Sequence, residues 1–116
     1  MIDFKSKIEI EQLLAWMDGG SITLKCRNDR NQKFEIEFTQ NLVWDFKEPR
    51  KIPGRLYVNG ELIEQRSQIE KDILENIKAA DKSHLDSKSI AMIAEKISYI
   101  ESEDYMNDKK TNRLKG

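Results

Sequence analysis

Apolar and polar positions alternate with a period of two over two stretches of this chain and recur with a helical period over three others. Ser6-Lys7-Ile8-Glu9 has the form of a capping box, in which the serine hydroxyl accepts from an early helix amide and the glutamate reaches back. Ile10, Leu13, Leu14 and Met17 follow at i, i+3, i+4 and i+7, so the spacing predicts an N-terminal helix stopped by Gly19-Gly20. Trp16 lies off the centre of that stripe, either bordering the core or exposed.

From Ser21 to Thr39 the alternation predicts a hairpin with Ile22, Leu24 and Cys26 on one face and Phe34, Ile36 and Phe38 beside them. With Asn28 to Gln32 as the loop, Cys26 pairs with Phe34, Leu24 with Ile36 and Ile22 with Phe38. The outer face then sets Lys25 opposite Glu35 and Thr23 opposite Glu37. Leu42 to Phe46 reads as a further short strand, and Pro49 and Pro53-Gly54 make Lys47 to Gly54 a loop. Arg55 to Glu64 is a tight hairpin about Asn59-Gly60, with Leu56, Val58 and Ile63 facing the core. Tyr57 and Leu62 fall on the opposite side, where an apolar pair is either covered by a helix or meets a partner.

Ser67-Gln68-Ile69-Glu70 is a second capping box, and Ile69, Ile73, Leu74 and Ile77 predict a helix to about Ala80. Asp86 or Ser87 caps a third, with Ile90, Ile93, Ala94, Ile97 and Ile100 on one side, reaching about Asp104. The expected fold class is α+β: an N-terminal helix, a four-stranded antiparallel sheet and two C-terminal helices. Residues 1–104 form one domain in this reading and residues 105–116 a polar tail, in which the lysine-rich run Asp108 to Gly116 is expected to be frayed or disordered.

Charge narrows the function classes more than length does. Twenty basic and 21 acidic residues among 116 leave a net charge of -1, which supplies no overall field for nucleic acid or an anionic membrane. No apolar run approaches the roughly 18 residues of a membrane span, and no secretory pattern opens the chain. A cytoplasmic protein without a membrane partner is the expectation. The single cysteine, Cys26, forms no disulfide within the chain and falls on an inward strand face, as a buried hydrophobe would.

Candidate chemistry is sparse. His84, the only histidine, lies in the polar segment between the last two helices with no framed nucleophile, so no catalytic residue is assigned. No Cys-x-x-Cys or His-x-x-x-His spacing supports a metal, and no glycine-rich loop sits between a strand and a helix to hold a phosphate, so no cofactor is expected. Two basic clusters remain: Lys47, Arg50, Lys51 and Arg55 around the proline-broken loop, near Trp44 and Tyr57, and Lys109, Lys110, Arg113 and Lys115 in the tail. Arginine beside tryptophan and tyrosine is the composition of protein-interface hot spots, and makes Trp44, Arg50, Arg55 and Tyr57 the candidate partner-binding residues. The same loop 47–55, with the basic tail, also fits a nucleic-acid-associated regulator, the alternative reading.

The run Gly-Gly-Ser-Ile-Thr-Leu leading into an alternating hairpin, then Pro-Gly-Arg-Leu-Tyr-Val-Asn-Gly-Glu-Leu before a capped helix, resembles small bacterial immunity proteins of contact-dependent growth inhibition and related polymorphic toxin systems. The likeness covers roughly Leu13 to Ile77. It implies a non-catalytic protein that binds one cognate toxin and blocks its active site or substrate entry, and it carries over no functional residue.

Overall fold

The computed structural model describes residues 2–15, 21–39 and 54–115, with side chains described through residue 102. Five strands, β1 (Ile8–Ala15), β2 (Ile22–Asn28), β3 (Lys33–Phe38), β4 (Leu56–Val58) and β5 (Glu61–Leu62), precede two helices, α1 (Gln68–Lys78) and α2 (Ser87–Lys115). The strands form one antiparallel sheet in the order β1-β2-β3-β4-β5. The class is α+β with an antiparallel sheet as expected, but among the described residues the sheet has five strands where four were expected.

The expected N-terminal helix is strand β1. Ile8 and Ile10 are fully buried two residues apart, opposite Asn28 and Cys26. Glu11 then has no partner on β2, because Ile10 pairs with Cys26 while Gln12 pairs with Lys25. This β-bulge inserts one residue into the strand and shifts the alternation by one. Inward positions therefore run 8, 10, 13, and the 10-to-13 step imitates one turn of helix. Ser6 caps nothing: its amide and that of Lys5 donate to Asp3 Oδ1 at 3.2 and 2.9 Å, a turn closed by the aspartate side chain.

The two hairpins follow the sequence closely. Cys26 pairs with Phe34, Leu24 with Ile36 and Ile22 with Phe38. Asn59 and Gly60 hold φ of 48° and 85°, the two left-handed positions of a tight hairpin turn, and Val58 faces Glu61 while Tyr57 faces Leu62. Asn59 also pins the hairpin to β3, accepting from Glu35 N through Oδ1 at 2.8 Å and donating its own amide to Glu35 O at 2.9 Å. The strand expected over Leu42 to Phe46 and most of the proline-broken loop lie outside the described residues.

Ser67 caps α1 by accepting from Glu70 N at 3.1 Å, while Glu70 Oε1 reaches Arg66 N at 3.1 Å, one residue beyond the amide that the capping box specifies. Helix α1 ends at Lys78, with Ala79 as its C-cap. Asp86 caps α2, accepting from Ser89 N at 2.8 Å. The backbone of α2 continues to Lys115, past the expected end near Asp104, so the polar segment expected to fray has a helical backbone.

Both helices lie on one face of the sheet. Ile73, Leu74 and Ile77 of α1 and Ile93, Ile97 and Ile100 of α2 join Ile10, Leu24, Ile36, Phe38 and Leu56 in one buried cluster. The loop between the helices closes the β1 edge: Asp81 donates its amide to Ile8 O at 2.9 Å and accepts from Ile10 N at 3.0 Å, bonds that a sixth strand would make. No helix among the described residues is long and apolar enough to cross a membrane.

Candidate protein-binding face

Residues that alternate with the core line the other face of the sheet. The register runs one row across all five strands, Leu14, Thr23, Glu37, Tyr57 and Leu62, and a second from Gln12 through Lys25 to Glu35. Towards β1 this face is open: Lys25, Lys33 and Glu35 are exposed, and Leu14 is 42% exposed. Towards β4 it is closed, with Tyr57 5% and Arg55 4% exposed.

A charged network spans the open part. Arg27 donates to Glu9 Oε1 at 3.0 Å and lies 3.4 Å from Glu11 Oε2, the bulge residue. The second oxygen of Glu9 lies 2.7 Å from His84 Nε2, bringing together residues 75 apart in sequence. The hydrogen bond from His84, then that from Arg27, holds the Glu9 carboxyl below its ordinary value, and the same partner strengthens the charged state of Arg27. The position of His84 follows from the Asp81 backbone bonds and from Ser83 N, which donates to Asp81 Oδ1 at 2.9 Å. A polar recess of about 200 Å³ nearby is lined by Lys7, Glu9, Arg27, Asn28, Asp29 and Asp81, but His84 does not line it. Among the described residues no cluster of three or more metal-ligating side chains occurs.

The structure places the four candidate partner-binding residues unequally. Trp44 and Arg50 lie outside the described residues. Arg55 is fixed by its backbone to Thr39: its amide donates to Thr39 Oγ1 at 2.8 Å, and its carbonyl accepts from Thr39 N and Oγ1, each at 3.0 Å. Tyr57 sits between Glu37 and Leu62 in the ladder, on the same face as the charged network. Cys26 is buried as expected, and burial pushes its thiol up to about 12, which removes it as a nucleophile.

A second surface has no signature in the sequence. The N-terminal segment is held against the β2–β3 turn by Asn28, which donates to Asp3 O at 3.0 Å and to Gln32 Oε1 at 2.8 Å while accepting from Arg30 N and Gln32 N. Phe4 packs edge-on against Phe34, with ring centroids 5.7 Å apart. Between this segment, the β4–β5 hairpin and the start of α1 lies an open groove of about 780 Å³, with Ile2, Phe4, Val58, Ile63 and Ile69 as its apolar lining. In the sequence Ile69 was one more member of a helix stripe, and only the docked N-terminus turns it into a wall.

No protein-family model matches the chain, and no curated protein or solved structure is significantly similar to it.

Proposed function

We propose that this chain is a non-catalytic protein-binding module that neutralises a cognate toxin in the manner of an immunity protein. The observation that carries the reading is the open face of the sheet. Glu9, Arg27 and Glu11 are arranged there with Lys25 and Glu35 in fixed register, and half-exposed Leu14 stands at the margin. A face bearing both signs at set spacings recognises a partner by complementary charge, which supplies fast association and rejects partners of the wrong pattern. Trp44 and Arg50 stay in the proposed contact set, whereas Arg55 and Tyr57, at the β4 end of the same face, are buried and offer a partner little area.

The test is capture of the tagged protein from its source cells with a high-salt wash, followed by expression of the captured protein alone and together with this chain. A single stoichiometric partner that is toxic alone and harmless in the pair is the expected result. Arg27→Glu and Lys25→Glu are expected to weaken that complex at least tenfold. Alanine at Trp44 and Arg50 together, in a folded variant, is expected to weaken it too, and unchanged affinity removes both from the interface; alanine at the buried Arg55 and Tyr57 reads out packing instead. Recovery of nucleic acid, released steeply as salt rises, sinks the toxin reading in favour of the regulator.

A further inference from the structure

The groove beside β5 is independent of the charged face, and three observations there converge. Its lining is apolar, and Ile69 at its edge is 52% exposed, an unusual exposure for isoleucine. Its rim carries both signs: Lys5 and Arg30, with Asp3 beside them, on the N-terminal segment and the β2–β3 turn, and Glu61 and Asp72 on the hairpin and α1. Of these, Arg30 faces Asp3 at 3.9 Å and Asp72 accepts from the neutral Gln68 at 2.9 Å, so the cations and anions of opposite walls are not matched with each other. Finally, β5 is the terminal strand of the sheet among the described residues. Ile63 N donates to Leu56 O at 2.9 Å, so in antiparallel alternation the preceding residue, Leu62, turns its N–H and C=O away from β4. Leu62 is 45% exposed.

We infer that a second copy of this chain docks here about a two-fold axis, β5 beside β5, with Ile69 of each copy against the groove of the other. An isologous interface requires a patch that complements itself. An apolar floor with a wall of net positive charge, two cations against Asp3, facing a wall of two anions meets that condition, because the rotation brings Lys5 and Arg30 of one copy to Glu61 and Asp72 of its mate. An outward-facing edge strand adds backbone hydrogen bonds at the same place.

Sedimentation equilibrium and light scattering on the purified full chain at 10 to several hundred micromolar test the inference, with circular dichroism to verify folding of each variant. The expected mass is twice the 13.6 kDa of the chain. Ile69→Asp, at an exposed position that tolerates the change, is expected to return the monomer. The double variants Lys5→Glu/Arg30→Glu and Glu61→Lys/Asp72→Lys are each expected to be monomeric, yet to form a mixed dimer when combined, since each then supplies the charge its mate needs. A monomer throughout the concentration range overturns the inference, as does a dimer that survives all three changes. A monomer whose Ile69→Asp variant loses a captured partner assigns the groove to that other protein and likewise overturns it.

Discussion

Deleting Glu11 should leave the fold intact, although one-residue deletions inside strands are ordinarily among the most damaging of changes. In the regular β2, removal of Thr23 slides Ile22 into an outward position, because strand side chains alternate. Ile22 is fully buried, opposite Ala15 and Phe38. Emptying such a site costs about 2–5 kcal/mol, a large part of the roughly 5–15 kcal/mol that holds a domain together. At roughly 4 °C per kcal/mol the Thr23 deletion lowers Tm by about 8–20 °C or prevents folding.

Glu11 differs because it has no ladder partner. Without it, Ile10 still meets Cys26, Gln12 still meets Lys25 and Leu13 still meets Leu24, now in unbroken alternation. What is lost is the exposed contact with Arg27 at 3.4 Å, of the kind that solvent screens to a small contribution. Thermal and urea denaturation followed by circular dichroism should place the Glu11 deletion within about 4 °C of the parent. In a helix the same deletion rotates the stripe after Ile10 by about 100° and disrupts its packing. A Glu11 deletion as harmful as that of Thr23 would therefore refute the bulged strand.

Three further outcomes follow from single contacts. Ser67→Ala removes the acceptor for Glu70 N and is expected to destabilise the protein by about 1 kcal/mol, read as a lower urea midpoint at unchanged m-value. Cys26 should resist a thiol reagent at pH 8 in the native state and react at once in denaturant, since burial raises its thiol to about 12; rapid native labelling would contradict its place in the core. The Glu9 carboxyl is held below its ordinary value in the folded state, so its contribution to stability is present above the ordinary carboxylate range and lost as pH falls through the folded value. Glu9→Gln should accordingly flatten the acid limb of the stability curve, and an unchanged limb would show that the contacts with His84 and Arg27 are not made in solution.

What the sequence makes legible here is what neighbours in the chain decide. The Asn59-Gly60 turn, the Ser67 cap and the register of Ile22 with Phe38 each follow from a residue's conformational limits or from alternation over a few positions. β1 looks helical in the sequence because an inserted residue converts a period of two into a spacing that mimics a helix, and because Ser6 to Glu9 match a cap while the side chain of Asp3 in fact closes the turn. The Glu9–His84 contact and the docked N-terminus were invisible for another reason. Both depend on loops settled by long-range backbone bonds, those of Asp81 to β1 and of Asn28 to Asp3, for which no local pattern exists.

The two ends of the sheet are treated differently, and the difference bears on stoichiometry. At β1 the inter-helix loop supplies Asp81 as a substitute strand, and the charges of Glu9, Arg27 and His84 crowd the same margin, both of which discourage another chain from pairing there. At β5 the last strand is two residues long, its side chain Leu62 is exposed, and an apolar groove opens next to it. Association through β5 leaves the charged face towards β1 uncovered in each copy, since the two surfaces lie at opposite ends of the sheet. If that face is the partner site, as proposed, a dimer built this way presents two of them and takes up two partner molecules. Mass measurement of the captured complex should then give two copies of each chain, falling to one of each in Ile69→Asp with the affinity per site unchanged; partner binding lost together with the dimer would mean that the two surfaces are one.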